Sequence, residues 1–414
     1  MVQSELKQSA RCSLSVVFAV GVAQLVFASA AMAQAAQDPA RTSRFLMGPL
    51  AWTPTLTLRD AGVDSNVFNS PSTETPKQDV TGSLTPSVDS VLTLGVMQLA
   101  TQGRADFVYF ERYTNERAIN GRVSGRMQFP TTRVHPVLTG SWERAKERTS
   151  NEIDIRAPRR EMAYSVGLGA QITPGSSLTV TGGLSDLRYD EGTKFQGVDL
   201  AARLNRQTKT ANATFRGTLT PLTKFVVMLD GAWDEFTAAA SHNSDNLRGF
   251  TGLEFAPDAI IRGHAGIGYH KMLPRGSDLS LNFSGWTSQA DLSYTLLGRT
   301  RFTGRTSHDT SYSGLDNRPY YVSTIGGLEV THNLVGPIDL ELRGSRETLD
   351  YAATTMGLPA RKECAVVLGG GLIIRMSMQT RIGFYYDDQQ RRSSQGPQAE
   401  YSRRHIYTSV TYGF

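Results

Sequence analysis

Apolar and polar residues alternate with a period of two along most of this chain. Val123, Gly125, Met127 and Phe129 interleave with Arg122, Ser124, Arg126 and Gln128. Met162, Tyr164, Val166, Leu168, Ala170 and Ile172 interleave with Glu161, Ser165 and Gln171. Ile261, Ala265, Ile267 and Tyr269 interleave with Arg262, His264 and His270, and Ile338, Leu340 and Leu342 with Asp339, Glu341 and Arg343. Successive side chains of a strand point to opposite faces, so this pattern predicts β-strands with one apolar and one polar face. No segment of comparable length carries a helical period.

Eight short turn signals punctuate the strands: 95–97, 130–131, 174–176, 221–223, 256–258, 297–298, 335–337 and 377–379. Proline and glycine recur in them because they supply turn dihedrals and do not continue a ladder. Longer polar loops fall between, for example at 66–78, 146–158, 190–197, 241–246 and 387–400. Eight short turns and nine long loops join eighteen strands. Short turns on one side and long loops on the other predict a transmembrane outer-membrane β-barrel, an all-β fold of about eighteen antiparallel strands. The barrel is expected over residues 50–414, with both ends periplasmic and the nine loops outside.

Composition alone points elsewhere. The 414 residues are 39% hydrophobic and 20% charged, with a mean hydropathy of −0.28, as in a soluble protein. In a barrel that number averages a lipid-facing half and a water-facing half. Past residue 33 no stretch approaches the roughly 20 apolar residues of a spanning helix. Two cysteines form no disulfide framework. The net charge of +5 has no basic cluster behind it and gives no reason to expect nucleic acid.

The chain ends add location. Lys7 and Arg11 precede an apolar run over residues 13–30, and Ala31-Met32-Ala33 offers a cleavage site, so residues 1–33 read as a secretory signal peptide. Its removal leaves 381 residues and takes away Glu5, Lys7 and Arg11, lowering the net charge from +5 to +4. Residues 34–49 form a short periplasmic segment, too small for the plug of a TonB-dependent transporter, and no long passenger precedes the barrel as in an autotransporter. At the other end Ile406, Thr408, Val410, Tyr412 and Phe414 share a face. Tyr412 with a terminal Phe414 resembles the signal read by the bacterial barrel-assembly machinery. The expected location is the cell outer membrane, with outer-membrane lipid and that machinery as partners.

Residues 56–68 read LTLRDAGVDSNVF, and Gly62, Asp64, Asn66 and Phe68 in them resemble an early element of the type-2 β-barrel porins. Residues 290–302 resemble that family's recurring strand-turn-strand unit, with Leu297-Gly298 where its turn proline would stand. The resemblance implies an outer-membrane barrel of a family often encoded near exopolysaccharide biosynthesis genes, which adds polysaccharide to polar solutes as candidate cargo. Asp64 and Asn66 are expected to cap backbone groups at the first hairpin mouth. Porins are often trimers, and a homo-oligomer stays open.

The inward phase places Arg104, Arg122, Arg126, Arg133, Arg262, Arg343 and Arg375 in the lumen, with Asp106, Glu161, Asp339 and Glu341. Arginine or lysine facing lipid at mid-depth costs about 2–4 kcal/mol, so these groups line a wet interior or pair across it. Two readings follow. One is a pore with a modest anion preference, centred on Arg122, Arg126 and Arg133. The other is a set of cross-strand ion pairs that fill the barrel. Trp142, Tyr164, Tyr269, Tyr412 and Phe414 read as interface aromatics. Catalysis is not expected: there is no nucleophile elbow, His-Glu-x-x-His or Cys-x-x-Cys. His264 and His270 lie roughly 20 Å apart along one strand, and Asp387 and Asp388 point to opposite faces. No cofactor or metal is expected. The leading function is a porin-like channel or export conduit; the alternative is a non-conducting structural or assembly component of an exopolysaccharide secretion system.

Overall fold

The computed structural model describes residues 45–131, 133–275, 282–352 and 359–413. The leader at 1–33 and the terminal Phe414 lie outside the described residues, as does most of the segment at 34–49. The first strands are β1 Leu50–Asp64, β2 Asp79–Leu94, β3 Met97–Phe110, β4 Ala118–Gln128, β5 Val134–Glu147 and β6 Ala157–Thr173. They are followed by β7 Ser176–Tyr189, β8 Arg206–Thr220, β9 Thr223–Phe236, β10 Ser244–Phe255, β11 Ile261–Pro274 and β12 Phe283–Leu296. The last are β13 Thr300–Tyr312, β14 Tyr320–Val335, β15 Ile338–Tyr351, β16 Arg361–Arg375, β17 Thr380–Ser393 and β18 Tyr401–Gly413.

Each strand pairs antiparallel with the next, and β1 pairs with β18 from Thr55↔Gly413 to Asp64↔His405, closing the sheet. Closure satisfies the backbone groups between strands and leaves no edge. The fold is the expected barrel of eighteen antiparallel strands, with short turns at one end and longer loops at the other. The seam is not regular. Its register shifts between Leu58 and Ala61, where Asp60 takes φ 53°. A three-residue strand, Phe45–Met47, pairs back onto Leu50–Trp52. No helix among the described residues is long and apolar enough to cross a membrane.

The period of two sorts the side chains. Outward positions carry exposed apolar groups such as Val123, Val166, Val180, Leu229, Ile267, Leu342 and Phe384. Trp142, Tyr164, Tyr269 and Tyr412 stand on the same outward phase, 37–59% exposed. Inward positions are polar.

One loop is shorter than expected. Residues 387–393 are not loop but the end of β17. Their hydrophilic sequence misleads because Asp387, Gln389 and Arg391 face polar partners inside the barrel mouth. Another loop is longer: residues 190–205 contain a two-residue-strand hairpin, Lys194–Phe195 with Val198–Asp199, and a short helix α1, Leu200–Leu204. Five residues are too few to print a helical period in the sequence.

Candidate functional site

The barrel mouth is where loops and lumen meet. Asp199 caps α1, accepting from the Ala201 and Ala202 amides at 2.8 and 3.3 Å. The helix thereby presents Leu200 and Leu204, both 3% exposed or less. These pack with Ile153 and Leu315 from two other loops onto Tyr189, Tyr321, Leu349 and Tyr351, inward residues at strand ends. Three loops therefore fold into the barrel and share a small apolar core. Arg203 locks two of them, donating to the Leu315 and Asp316 carbonyls at 2.7 and 2.9 Å.

The loop at 148–156 reaches farthest. It leaves β5 and touches the wall formed by β15–β17. Asn151 donates to the Glu347 carboxylate. Asp154 pairs with Arg391 at 2.7 Å, and Arg391 also pairs with Glu363, which Arg361 meets at 2.7 Å. The Arg391 and Glu363 side chains are 3% and 1% exposed. Such a buried pair persists because each charge is compensated and hydrogen-bonded. Between these contacts Glu152, 1% exposed, accepts from Ser313 Oγ and from the Gly314 amide at 3.1 Å. Burial pushes its carboxyl up to about 7, against the lowering pull of these two hydrogen bonds.

Beneath the loops lies a cavity of about 500 Å³. Its wall carries a network of hydrogen bonds and ion pairs. Asp234 accepts from Tyr312 Oη at 2.7 Å and from Asn246 at 2.8 Å. Arg248 pairs with Asp230 at 3.3 Å and Asp309 at 2.8 Å, and His270 Nδ1 lies 2.8 Å from Asp309.

The seven arginines expected inside divide into two groups, with Arg133 in the turn before β5 rather than on a strand. Arg104 pairs with Asp106 at 3.2 Å, a carboxylate it shares with Arg59 at 2.6 Å. Arg122 donates to Glu143 at 2.9 Å. Arg343 pairs with Asp387 at 2.8 Å and Glu341 at 2.9 Å, and Arg375 with Asp339 at 2.9 Å. Arg126, Arg133 and Arg262 have no carboxylate partner among the described residues. Arg126 donates to Gln128 at 3.4 Å and Arg262 to the Ala259 carbonyl at 3.3 Å. All three lie near the short-turn end. Arg122, Arg126 and Arg133 are thus not one patch: the first is held by Glu143, and the other two lie below it.

Residues 47–414 match the family model described as "Putative beta-barrel porin 2". The chain belongs to this family. Two solved structures share the fold of this porin. A BenF-like porin from Pseudomonas fluorescens Pf-5 superposes with a TM-score of 0.51 at 12% identity, covering 88% of this chain and 98% of its own. OpdO from Pseudomonas aeruginosa gives 0.50 at 11%, covering 88% and 97%. No curated protein matches the chain. Family and fold together locate the porin in the cell outer membrane.

In this porin the early motif organises the seam. Asp64, 2% exposed, pairs with Arg403 on β18 at 2.5 Å. Asn66 receives the Ser70 amide at 2.8 Å and donates to the Ser70 and Ser402 carbonyls at 3.0 and 3.1 Å. Gly62 lies against β18 so closely that a Cβ would stand 1.9 Å from the Ile406 carbonyl oxygen. Phe68 meets Tyr113 edge-on at 4.7 Å.

Several residues of the mouth and wall escape a reading of the sequence. Arg248 and Arg391 sit on the inward phase and could have been found from it. Arg159 also does, and it joins Glu143, Glu147 and Glu161 at 2.8–3.2 Å. Glu152 could not, because a loop carries no phase.

Proposed function

We propose that this porin is a passive channel for small polar solutes, with an aperture set by the loops at 148–156, 190–205 and 313–319. The observation that carries the reading is the cavity of about 500 Å³ beneath the first two of these loops, into which Asp230, Asp234, Arg248 and His270 project, inside a barrel of a size that leaves an aqueous channel. Arg126, Arg133 and Arg262 add uncompensated positive charge at the periplasmic end, which favours anions. Planar-bilayer recording on the purified barrel tests the channel. Discrete steps are expected, with a reversal potential showing anion preference that weakens when these three arginines become serine. A folded barrel without steps overturns the channel reading.

A second reading has its own support. The apolar core and the buried Arg391–Glu363 pair are built like a seal, as a non-conducting component of a polysaccharide export assembly would need. The family resemblance is what suggests exopolysaccharide as cargo. Gene deletion separates the two: loss of surface polysaccharide with unchanged small-solute uptake supports the assembly role.

A further inference from the structure

Three arginines stand in line on the outside of the barrel. Arg144 on β5 is the Cα partner of Arg160 on β6, and Arg160 is the partner of Arg188 on β7. They follow the outward phase of Trp142, Tyr164 and Leu184, which are 37%, 59% and 47% exposed. The arginines lie farther toward the loop end, next after Trp142 on β5, past Met162 on β6 and past Asp186 on β7, so they stand at the outer edge of the apolar band. On β4 the neighbour of Arg144 is Gly121, and just beyond it the outward Ile119 is 71% exposed. The rim at this point borders lipid.

Like charges directly opposite each other destabilise a sheet. Elsewhere the outward rim avoids this arrangement. Lys209 meets Glu235 at 2.9 Å, Lys362 meets Asp350 at 2.9 Å and Arg404 meets Asp388 at 3.6 Å. On β5–β7 the compensation is thin. Arg160 is exposed and has no ion pair among the described residues. Arg144 reaches Asp190 at 3.9 Å, with both side chains more than half exposed. Arg188 is better held, by Asp186 at 2.8 Å and Thr237 at 2.7 Å. Neighbouring strands lie about 5 Å apart, so the three side chains leave about 10 Å of rim.

We propose that Arg144 and Arg160, flanked by Arg188, bind the phosphate of a phosphorylated lipid head group in the outer leaflet. A guanidinium is a planar fork of donors that matches phosphate oxygens in pairs and stays charged. An anion between Arg144 and Arg160 turns an opposed like-charge pair into two attractive contacts. The height on the barrel selects the source: a phosphate held there has its acyl chains against Trp142 and Tyr164. The site does not depend on whether the lumen conducts.

Native mass spectrometry of the purified barrel, titrated with lipid A in zwitterionic detergent, reads the site. The Arg144→Ser/Arg160→Ser variant is expected to bind about ten-fold more weakly or worse, from the loss of two charge-assisted contacts. Lys362→Ser, at a compensated rim position, leaves binding unchanged. Arg160→Lys keeps the charge without the fork and is expected to fall between, which keeps the test open if the double variant fails to fold. Equal affinity in wild type and double variant overturns the site. Equal binding of dephosphorylated lipid A overturns the phosphate, and saturation by inorganic phosphate alone overturns the lipid as its source.

Discussion

A carboxyl group in an apolar core is a proton switch whose direction follows from burial. In the closed mouth Glu152 is held up to about 7 by desolvation, with Glu363 adding to the rise and Ser313, Gly314 and Arg361 opposing it. With the loops displaced into water it returns to the ordinary carboxylate range. The closed mouth therefore binds the proton more tightly, and its stability is full at acid pH and lost as pH rises through about 7. Around Glu152 the Asp154–Arg391–Glu363–Arg361 chain is internally paired, and burial raises the Asp154 carboxyl as well, against the pull of Arg391. Conductance is expected to rise between about pH 5.5 and 8.5 in wild type and to stay flat in Glu152→Gln, as single-channel recording would show. Arg391 gives a second prediction. Arg391→Met takes one of its two arginine partners from Glu363, whose side chain is 1% exposed, and leaves it Arg361 at 2.7 Å, so the expected loss is below the about 3–5 kcal/mol of a buried pair broken outright. Denaturant unfolding should show most of that loss restored in the Arg391→Met/Glu363→Leu double variant, because the buried charge is then gone.

Strands explain why some residues are small. Gly369-Gly370-Gly371 lies in β16, between Arg343 on β15 and Asp387 on β17. The inward Gly369 leaves open the path over which these two meet. A Cβ there would stand 1.9 Å from Asp387 Oδ1 and 3.1 Å from Arg343 Nε. Gly369→Ala is expected to destabilise the barrel by about 1–3 kcal/mol through overpacking, and Gly370→Ala, on the outward phase, by less. Thermal unfolding of the two side by side checks the difference. The turn at Leu297-Gly298 shows another local rule. Both residues take positive φ, 50° and 68°, as the central pair of a turn closed by the Arg299 amide on the Leu296 carbonyl, and Gly298 meets that need without a Cβ clash.

For the molecule as a whole, the barrel and its mouth have different origins. The walls are built from neighbours in sequence, while the mouth is built from loops far apart in it. Deleting residues 191–204 removes α1 and its share of the apolar core, so the barrel is expected to fold and its conductance to rise several-fold, measured against wild type in one bilayer system. A barrel that fails to fold without α1 would make this loop part of the scaffold. By itself the sequence determined the strand number and the closure into a barrel with short turns at one end and longer loops at the other. Each of these rests on a period of two and on turn residues, which are local and repeat eighteen times. Only the tertiary structure decided which inward charges pair. Arg343 meets Asp387 across an intervening strand of glycines, and Arg126 is left without a carboxylate by its height on the wall. It also decided that the loops turn inward. Asp154 and Arg391 are 237 residues apart, and no local pattern records a contact that exists only because the barrel has closed and brought opposite walls within a loop's reach.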